Sequence, residues 1–232
     1  MGLFNKGKQL ATYFQPKSIP PTSYPYFEIK HLIQGTDDWR QWRKLVIGAS
    51  DAPTIMNENR WASLQNLLDE KIGLKPEFKG NAATREGHEL EEVARNLLIK
   101  QFGISLKPTI VQDGKTPYLA ASLDAIDEKH QLVMEIKCGA KSYEIAQTSN
   151  PIPKYYYGQL QHILMITQLD EIIYAAYRPY SKLITLKVKR DDNYISRLRQ
   201  MEDWFASQLV SKGHRLQQEF IGEKRVRGSG SA

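Results

Sequence analysis

Residues 132–138 restrict the fold most strongly, because they have the apolar composition of a buried strand and yet carry two charged side chains. Successive side chains of a strand point to opposite faces of the sheet, so Glu135 and Lys137 project from the same face. The preceding residues 126–131, with polar residues 127–130 at their centre, predict a hairpin turn that returns the chain beside Asp124. The sequence therefore predicts two carboxylates and one lysine at a common point of a sheet.

Two carboxylates and a lysine in a partly buried place have a specific chemical use. Like charges brought together there resist ionisation unless a cation joins them. Mg²⁺ takes carboxylate oxygens as ligands and keeps waters for substrate phosphates, while a lysine can orient or help to deprotonate an attacking water. Asp124, Glu135 and Lys137 thus predict a metal-dependent phosphodiesterase. The alternative is an exposed ion pair on a strand, which is the commoner meaning of a lone Glu-x-Lys.

Composition is typical of one globular domain, with 232 residues, 41% hydrophobic and 25% charged. A formal net charge of +6 makes a polyanionic partner plausible. No apolar run approaches the roughly 18 residues that span a bilayer, and no signal-peptide pattern opens the chain. We therefore expect a cytosolic protein with no membrane partner. The single Cys138 excludes a disulfide within the chain and a four-cysteine metal or iron-sulfur site, so oxygen ligands are expected.

Local patterns predict helices before and after a central set of strands. Helices are predicted from the capping Thr36 through Arg43, from Gly48, from Leu64 to about Gly73, over 86–100, over 153–168, and from Asp191 or Asp192 to about Lys212. Strands are predicted over 109–112, 118–123, 132–138, 171–177 and 183–190. The expected fold class is α/β, a central mixed β-sheet flanked by α-helices. We expect an irregular arm over 1–27, a single domain over 28–220 and a flexible tail over 221–232.

The Asp124 and Glu135-x-Lys137 pattern resembles the PD-(D/E)xK nuclease superfamily, in which an Asp and a Glu-x-Lys on the next strand form the catalytic core. Four further blocks resemble the phage lambda exonuclease and YqaJ-type viral recombinase family of that superfamily. They are residues 34–39 with Arg43, residues 47–50, residues 87–91 and residues 156–161. In the family order these blocks cover roughly residues 34–165. Leu123 stands where the superfamily label has proline, at a variable position without a catalytic role.

The resemblance implies a metal-binding and cutting role for four neighbouring residues. It gives Asp124, Glu135 and the backbone carbonyl of Ile136 as metal ligands, and Lys137 as the group that serves the attacking water. The implied cofactor is Mg²⁺, with Mn²⁺ as a substitute.

The resemblance also implies that Glu91 and Gln159 are supporting catalytic residues. Glu91 lies beside the edge of the apolar stripe of its predicted helix, and Glu86 is its rival because its angle falls inside the stripe. Gln159 has Gln161 as its rival on the opposite border of the next helix. The alternative interpretation is a solvated glutamate and a surface amide.

Arg43 and Ser50 match the positions that bind the 5′-phosphate of a DNA end in this family. A guanidinium can grip phosphate with two hydrogen bonds, and a serine at a helix start adds a hydroxyl beside backbone N–H groups. Without the resemblance, a surface charge and a helix cap are the simpler interpretations. Trp39 and Trp42, on the same predicted helix as Arg43, are expected to be core residues.

The resemblance as a whole implies a Mg²⁺-dependent exonuclease that digests the 5′-phosphorylated strand of linear double-stranded DNA in the 5′ to 3′ direction and leaves a 3′ overhang. It further implies a homotrimer ring around the DNA and a single-strand annealing protein as recombination partner. Three alternatives stay open: a Cas4/RecB-like nuclease, a restriction-type nuclease, and a non-catalytic DNA-end binding module.

Overall fold

A mixed β-sheet forms the centre of the computed structural model, which describes residues 26–76, 82–127, 129, 131–148 and 151–216. The strands in these residues are β1 (Phe27–Lys30), β2 (Ile47–Gly48), β3 (Leu106–Asp113), β4 (Leu119–Asp127), β5 (Val133–Cys138), β6 (Glu171–Tyr177) and β7 (Ile184–Lys189). The helices are α1 (Asp37–Lys44), α2 (Ala52–Ile55), α3 (Leu64–Lys71), α4 (Ala82–Phe102), α5 (Ala140–Ala146), α6 (Lys154–Thr167) and α7 (Asp192–Ser211), and a 3₁₀ turn at Ala49–Asp51 leads into α2.

The strands lie in the order β1-β3-β4-β5-β6-β7, and β2 pairs with the beginning of β4. Neighbouring strands are antiparallel except for the pairs β5–β6 and β2–β4, which are parallel. The β3–β4 register shifts between Lys107 and Thr109, because Pro108 has no N–H to donate to the ladder. The predicted α/β fold with a central mixed sheet is confirmed.

Strand β6 contributes side chains to two apolar clusters, one on each face of the sheet. Ile172, Tyr174 and Ala176 join the cluster that contains α6, whereas Ile173, Ala175 and Tyr177 join the cluster that contains α4. Neighbouring β5 follows the same alternation, with Val133 on the α6 side and Met134 and Ile136 on the α4 side. Glu135 and Lys137 therefore face α6, because they lie two and four positions after Val133 on the same face.

Helix α6 is buried almost all round from Leu160 to Thr167, instead of on the single stripe that its spacing predicts. Both α2 and α7 pack against it in addition to the sheet. Gly158 permits the close approach of α2, since a Cβ there would lie 3.3 Å from the backbone nitrogen of Pro53. Inside this layer His162 bonds Glu202 of α7 (Nδ1 to Oε1, 2.6 Å) and the carbonyl of Ala120 in β4 (Nε2 to O, 3.0 Å). The buried pair thus ties two helices to the sheet.

The predicted helix ends are explained by particular capping bonds. Thr36 accepts the backbone N–H of Trp39 at the start of α1. Asp191, rather than Asp192, caps α7 by accepting the backbone N–H of Tyr194. The helix predicted from Gly48 begins as the 3₁₀ turn before α2. Strands β1 and β2 and helix α5 were not predicted, because each is too short to show a clear periodicity.

The predicted terminal segments fall largely outside the described residues, which begin at 26 and end at 216. The limits of the arm, the domain and the tail therefore stay predictions. Among the helices that the structure describes, none has both the length and the apolar content needed to cross a bilayer.

Candidate active site

The β4–β5 hairpin sets Asp124 beside Glu135, as predicted. The turn is shorter than the predicted 126–131, because β4 continues to Asp127 and Ile126 is paired with Val133. Ala125 pairs with Met134 and Ile126 with Val133. Just beyond these pairs the Ile136 backbone N–H donates to Asp124 Oδ2 at 2.8 Å. This bond replaces a strand-to-strand contact and fixes the Asp124 carboxylate over β5.

Glu135, Lys137 and Gln159 form a closed set of hydrogen bonds between β5 and α6. Lys137 Nζ donates to Glu135 Oε1 (2.7 Å) and to Gln159 Oε1 (3.2 Å). Gln159 Nε2 also donates to Glu135 Oε1 (2.6 Å). The other oxygen of Glu135, Oε2, is buried and has no hydrogen-bond partner among the described residues. Such an unsatisfied carboxylate oxygen needs an explanation, and a bound cation supplies one.

Burial and mutual repulsion shape the charges of this set. Burial raises the pKa of Asp124 well above its ordinary value, and the charges of Glu135 and Glu91 raise it further. Burial also raises the pKa of Glu135, although the Lys137 ammonium opposes the change. For Lys137, burial favours the neutral form, but the carboxylates of Glu135 and Asp124 outweigh it and raise the pKa. The neighbouring carboxylates therefore favour the ammonium form of Lys137, whereas burial disfavours the negative charges of Asp124 and Glu135.

Glu91 reaches the same region from α4 through an arginine. Arg95 Nη2 lies 2.5 Å from Glu91 Oε1, and Arg95 Nε donates to the backbone carbonyl of Asp124 at 2.7 Å. His88 Nδ1 lies 3.6 Å from the other Glu91 oxygen. Arg95 was not predicted from the sequence, although its position four residues after Glu91 is the spacing of a helical ion pair.

The residues present fit a hard divalent cation. Asp124 and Glu135 offer carboxylate oxygens in a buried place, and Glu135 Oε2 has no partner among the described residues. Within the described part of the chain, no group of three or more His, Cys, Asp and Glu residues is arranged to hold an ion by itself. Backbone oxygen and water would have to complete the coordination, as is usual for Mg²⁺. The carbonyl of Ile136 stays a predicted ligand.

One cleft joins this acid cluster to Arg43 and Ser50. It has a volume of about 920 Å³, and its walls include Asp124, Glu135 and Lys137 as well as Arg43 and Ser50. Predicted site residues that are far apart in the chain therefore line the same cleft. The geometry allows a single substrate to touch both groups.

Asp51 organises the Arg43 end of the cleft. Arg43 donates to both Asp51 oxygens, from Nη1 to Oδ2 (2.8 Å) and from Nη2 to Oδ1 (2.7 Å). Lys71 Nζ lies 2.9 Å from Asp51 Oδ2, and the Gly48 N–H donates to the same oxygen. Burial opposes the charge of Asp51, but Arg43 and Lys71 outweigh it and hold the pKa well below its usual range. Neither Asp51 nor Lys71 was predicted from the sequence.

Ser50 and Gly48 complete the seat of the Arg43 guanidinium. Arg43 Nη2 donates to Ser50 Oγ at 3.0 Å, so the exposed hydroxyl keeps its own hydrogen for another acceptor. A Cβ at Gly48 would lie 2.7 Å from Arg43 Cζ. The guanidinium thus rests against a glycine backbone, in a place that a larger residue would fill.

The structure separates Gln159 from its rival Gln161. Gln161 is buried away from the cleft, where its Nε2 donates to the Lys189 carbonyl and its Oε1 accepts the Asp191 N–H. Only Gln159 of the two contacts Glu135. The rival of Glu91 is not separated in this way, because Glu86 also borders the cleft.

Trp39 and Trp42 were predicted to be core residues, and this is wrong. Both are half-buried and line the cleft. Trp39 Nε1 donates to Ser122 Oγ of β4 at 3.2 Å. Helix α1 contributes both tryptophans and Arg43 to the wall of the cleft, so the core does not cover this face of the helix completely.

Solved structures of known proteins share this architecture. An alkaline exonuclease, LHK-Exo from Laribacter hongkongensis, matches with a TM-score of 0.66 and 25% sequence identity, over 76% of this chain and 94% of that chain. LHK-Exo in complex with dAMP matches with a TM-score of 0.67 at 24% identity, over the same shares of the two chains. A phage related exonuclease from Haemophilus somnus 129PT matches with a TM-score of 0.55 at 16% identity, over 73% of this chain and 96% of that chain. The last two matches support the fold alone.

Sequence comparison gives the family. The uncharacterized protein YqaJ of Bacillus subtilis (strain 168) is 24% identical over 190 residues, which are 79% of this chain. The chain spans 59% of the length of that relative. The YqaJ-like viral recombinase domain matches residues 38–170, more than half of the chain and all eight predicted site positions. The chain therefore belongs to the YqaJ-like viral recombinase domain family.

Proposed function

We propose that this protein is a Mg²⁺-dependent nuclease, and specifically an exonuclease that digests the 5′-phosphorylated strand of linear double-stranded DNA from 5′ to 3′. One observation carries the proposal: the buried Asp124 and Glu135, with an unsatisfied oxygen and an adjacent lysine, share a cleft with Arg43 and Ser50. The first group suits a cation and a reacting phosphate, and the second suits a terminal phosphate. The similarity to LHK-Exo, an alkaline exonuclease, points to the same chemistry.

The chain's own residues would divide the chemical work as follows. Asp124, Glu135 and the Ile136 carbonyl would hold Mg²⁺, or Mn²⁺ in its place; when bound, the metal supplies positive charge to the phosphate and acidifies water. Lys137 would donate a hydrogen bond to the attacking water or to a phosphate oxygen, and thereby fix its position. Gln159 would keep Lys137 and Glu135 aligned through its two hydrogen bonds. Glu91 on α4 would act indirectly: it holds Arg95, and Arg95 donates to the backbone carbonyl of Asp124.

The proposed polarity depends on the opposite end of the cleft. Ser50 can donate its hydroxyl hydrogen to a 5′-phosphate, because Arg43 already donates to its oxygen. The guanidinium is fixed by Asp51, so it would bring a positive charge to the phosphate without having to be ordered first. Binding of the 5′-phosphate there would place the same strand near Lys137, and cleavage would then proceed from the 5′ end.

A 3′ overhang left by this digestion would be a substrate for a single-strand annealing protein, which we propose as the recombination partner. We further propose a homotrimer ring that encircles the duplex. Both ideas derive from the family resemblance. Sedimentation of the purified chain tests the ring directly, and a monomer at micromolar concentration with and without DNA would contradict it.

The function is tested on linear duplexes that carry either a 5′-phosphate or a 5′-hydroxyl, with Mg²⁺ or with a chelator, for wild type and Lys137→Ala. We expect degradation of the 5′-phosphorylated strand only, with loss of activity in chelator and in the variant. Degradation that survives chelation, or that is equally fast in Lys137→Ala, contradicts the mechanism.

Two further substrates separate the alternatives. Cleavage of a closed circular duplex would favour a restriction-type enzyme over an exonuclease, because the circle has no end. Attack from 3′ ends or on single strands would favour a Cas4/RecB-like nuclease. Tight binding of DNA ends without any cleavage in Mg²⁺ or Mn²⁺ would leave a non-catalytic end-binding module.

A further inference from the structure

An exposed tryptophan stands at the rim of the cleft, on the loop between α2 and α3. Trp61 is 61% exposed, which is unusual for a side chain with so much apolar area. Its backbone N–H donates to Asn59 Oδ1, and Asn59 Nδ2 donates to Thr54 Oγ1 of α2, each at 3.0 Å. The loop is therefore anchored to α2, and the indole is held at the rim without being buried.

Aromatic and cationic side chains surround the Trp61 ring. The ring of Tyr155 from α6 meets it at 73°, with the centroids 4.7 Å apart. The Arg60 guanidinium lies 4.4 Å from the indole centroid, and Lys141 Nζ lies 6.0 Å from it. Single-stranded nucleic acid complements this set, because its bases stack on aromatic rings while its phosphates attract cations. We call Trp61, Tyr155, Arg60 and Lys141 the aromatic platform.

The aromatic platform is connected to the proposed cutting centre. The Tyr155 ring lies 4.6 Å from that of Tyr156, and the Tyr156 ring lies 4.9 Å from Lys137 Nζ. Trp61, Tyr155, Tyr156 and Lys137 also line the same cleft. Nucleotides along one strand of a duplex are about 3.4 Å apart. The platform is therefore only a few nucleotides from the position at which Lys137 would act.

We propose that the aromatic platform binds an unpaired base of the DNA strand that enters the cleft. A base inside a duplex is stacked on its neighbours, so Trp61 can receive one only where the end of the duplex has opened. The inference rests on the proposed function and adds to it a binding place for one base, formed by Trp61 and Tyr155 at the rim of the cleft. The competing interpretation is a surface tryptophan that Arg60 shields from water and that never touches DNA.

The test measures binding of the full chain, in chelator, to two short 5′-phosphorylated single strands. One strand carries thymine throughout, and the other is abasic, so that the phosphates are kept and the bases are removed. We expect wild type to prefer the thymine strand, and Trp61→Ala to weaken that preference about 5- to 150-fold, which corresponds to ~1–3 kcal/mol for one base on an aromatic ring. Trp61→Phe keeps a ring and should retain most of the preference.

Trp204→Ala is the matched control, because Trp204 is also exposed (45%) but lies on α7 outside the cleft. It should behave as wild type. The salt dependence of thymine-strand binding should be unchanged in Trp61→Ala, since no phosphate contact is lost. A weaker salt dependence would attribute the effect to charge and would count against stacking.

Two results overturn the platform: a wild type that does not distinguish the two strands, or a Trp61→Ala variant that distinguishes them as well as wild type. Failure of the proposed function is recognised separately, as the absence of Mg²⁺-dependent cleavage by wild type. If wild type prefers the thymine strand through Trp61 but cleaves no DNA, the platform is supported and the proposed nuclease function is wrong. If wild type cleaves DNA but Trp61→Ala keeps the wild-type preference for the thymine strand, the nuclease function is supported and the platform is wrong.

Discussion

Replacing Asp51 by Asn should destabilise the protein strongly, because this carboxylate is the shared partner of two buried or nearly buried cations. Arg43 contributes two hydrogen bonds of 2.7 and 2.8 Å, and Lys71 an ion pair of 2.9 Å. An Asn amide keeps the shape but turns an NH₂ group towards donors that have lost their countercharge. Removing one partner of a buried pair costs about 3–5 kcal/mol. For a chain of this size about 1 kcal/mol shifts Tm by ~2–4 °C, so Tm should fall by about 6–20 °C.

The pH dependence of this effect has a definite sign. The pKa of Asp51 is lowered in the folded protein, while the unfolded chain has the ordinary value of about 3.9. Its contribution to the free energy of unfolding is therefore fully present above the unfolded pKa, and it is lost as the pH falls through the folded pKa. The difference in stability between wild type and Asp51→Asn should be constant from about pH 5 to 8, and should shrink below about pH 4.

Thermal unfolding followed by circular dichroism measures the effect, with Asp37→Asn as the control. Asp37 pairs with Arg40 at 2.6 Å, but both side chains are exposed, so its replacement should change Tm little. Adding Lys71→Met to Asp51→Asn should cost less than the sum of the two single changes, because it removes a buried ammonium that has lost its partner. Equal midpoints for Asp51→Asn and Asp37→Asn would refute the proposed role of the Asp51 cluster.

Three other changes probe the two ends of the cleft. Gly48→Ala should push the Arg43 guanidinium from its seat and reduce the preference for 5′-phosphorylated over 5′-hydroxyl duplex; an unchanged ratio of the two rates argues against that seat. Gln159→Leu removes two hydrogen bonds to Glu135 and Lys137 and should lower kcat about 10- to 100-fold with the fold intact, whereas a wild-type rate would leave Gln159 without a catalytic role. Mg²⁺ at about 100 times its Kd should stabilise wild type by about 2.7 kcal/mol, which corresponds to a rise in Tm of ~5–11 °C. This rise should vanish in Glu135→Gln. A rise that persists in the variant would mean that the metal binds elsewhere.

The acid cluster was predictable from sequence because it depends on short-range rules. A short turn and the alternation of side chains are enough to bring Asp124 to Glu135-x-Lys137, and the hairpin register agrees. Helix ends were predictable for the same reason, since Thr36 and Asp191 cap through residues only three positions away.

The missing parts of the site depend on contacts between distant segments. Lys71 meets Asp51 only because α3 packs behind α2, and no local pattern announces that pairing. Gln159 and Gln161 could not be separated by periodicity, because α6 is buried almost all round from Leu160 onwards and has no distinct polar face there. Trp39 and Trp42 were assigned to the core by residue type, whereas the position of α1 in the wall of the cleft decided their exposure.

The cleft is electrostatically polarised, and the polarity matches the proposed substrate. At one end, the described residues Asp51, Arg43 and Lys71 form a cluster of one carboxylate and two cations, which has a formal charge of +1. At the other end, three carboxylates, those of Asp124, Glu135 and Glu91, share the two cations Lys137 and Arg95, which leaves an excess of negative charge. The first end can accept a terminal phosphate without a metal, whereas the second needs a cation before it can accept the phosphate to be cut. Recognition of a DNA end and hydrolysis of its strand should therefore separate in experiment: chelation should abolish cleavage while binding of the 5′-phosphate survives.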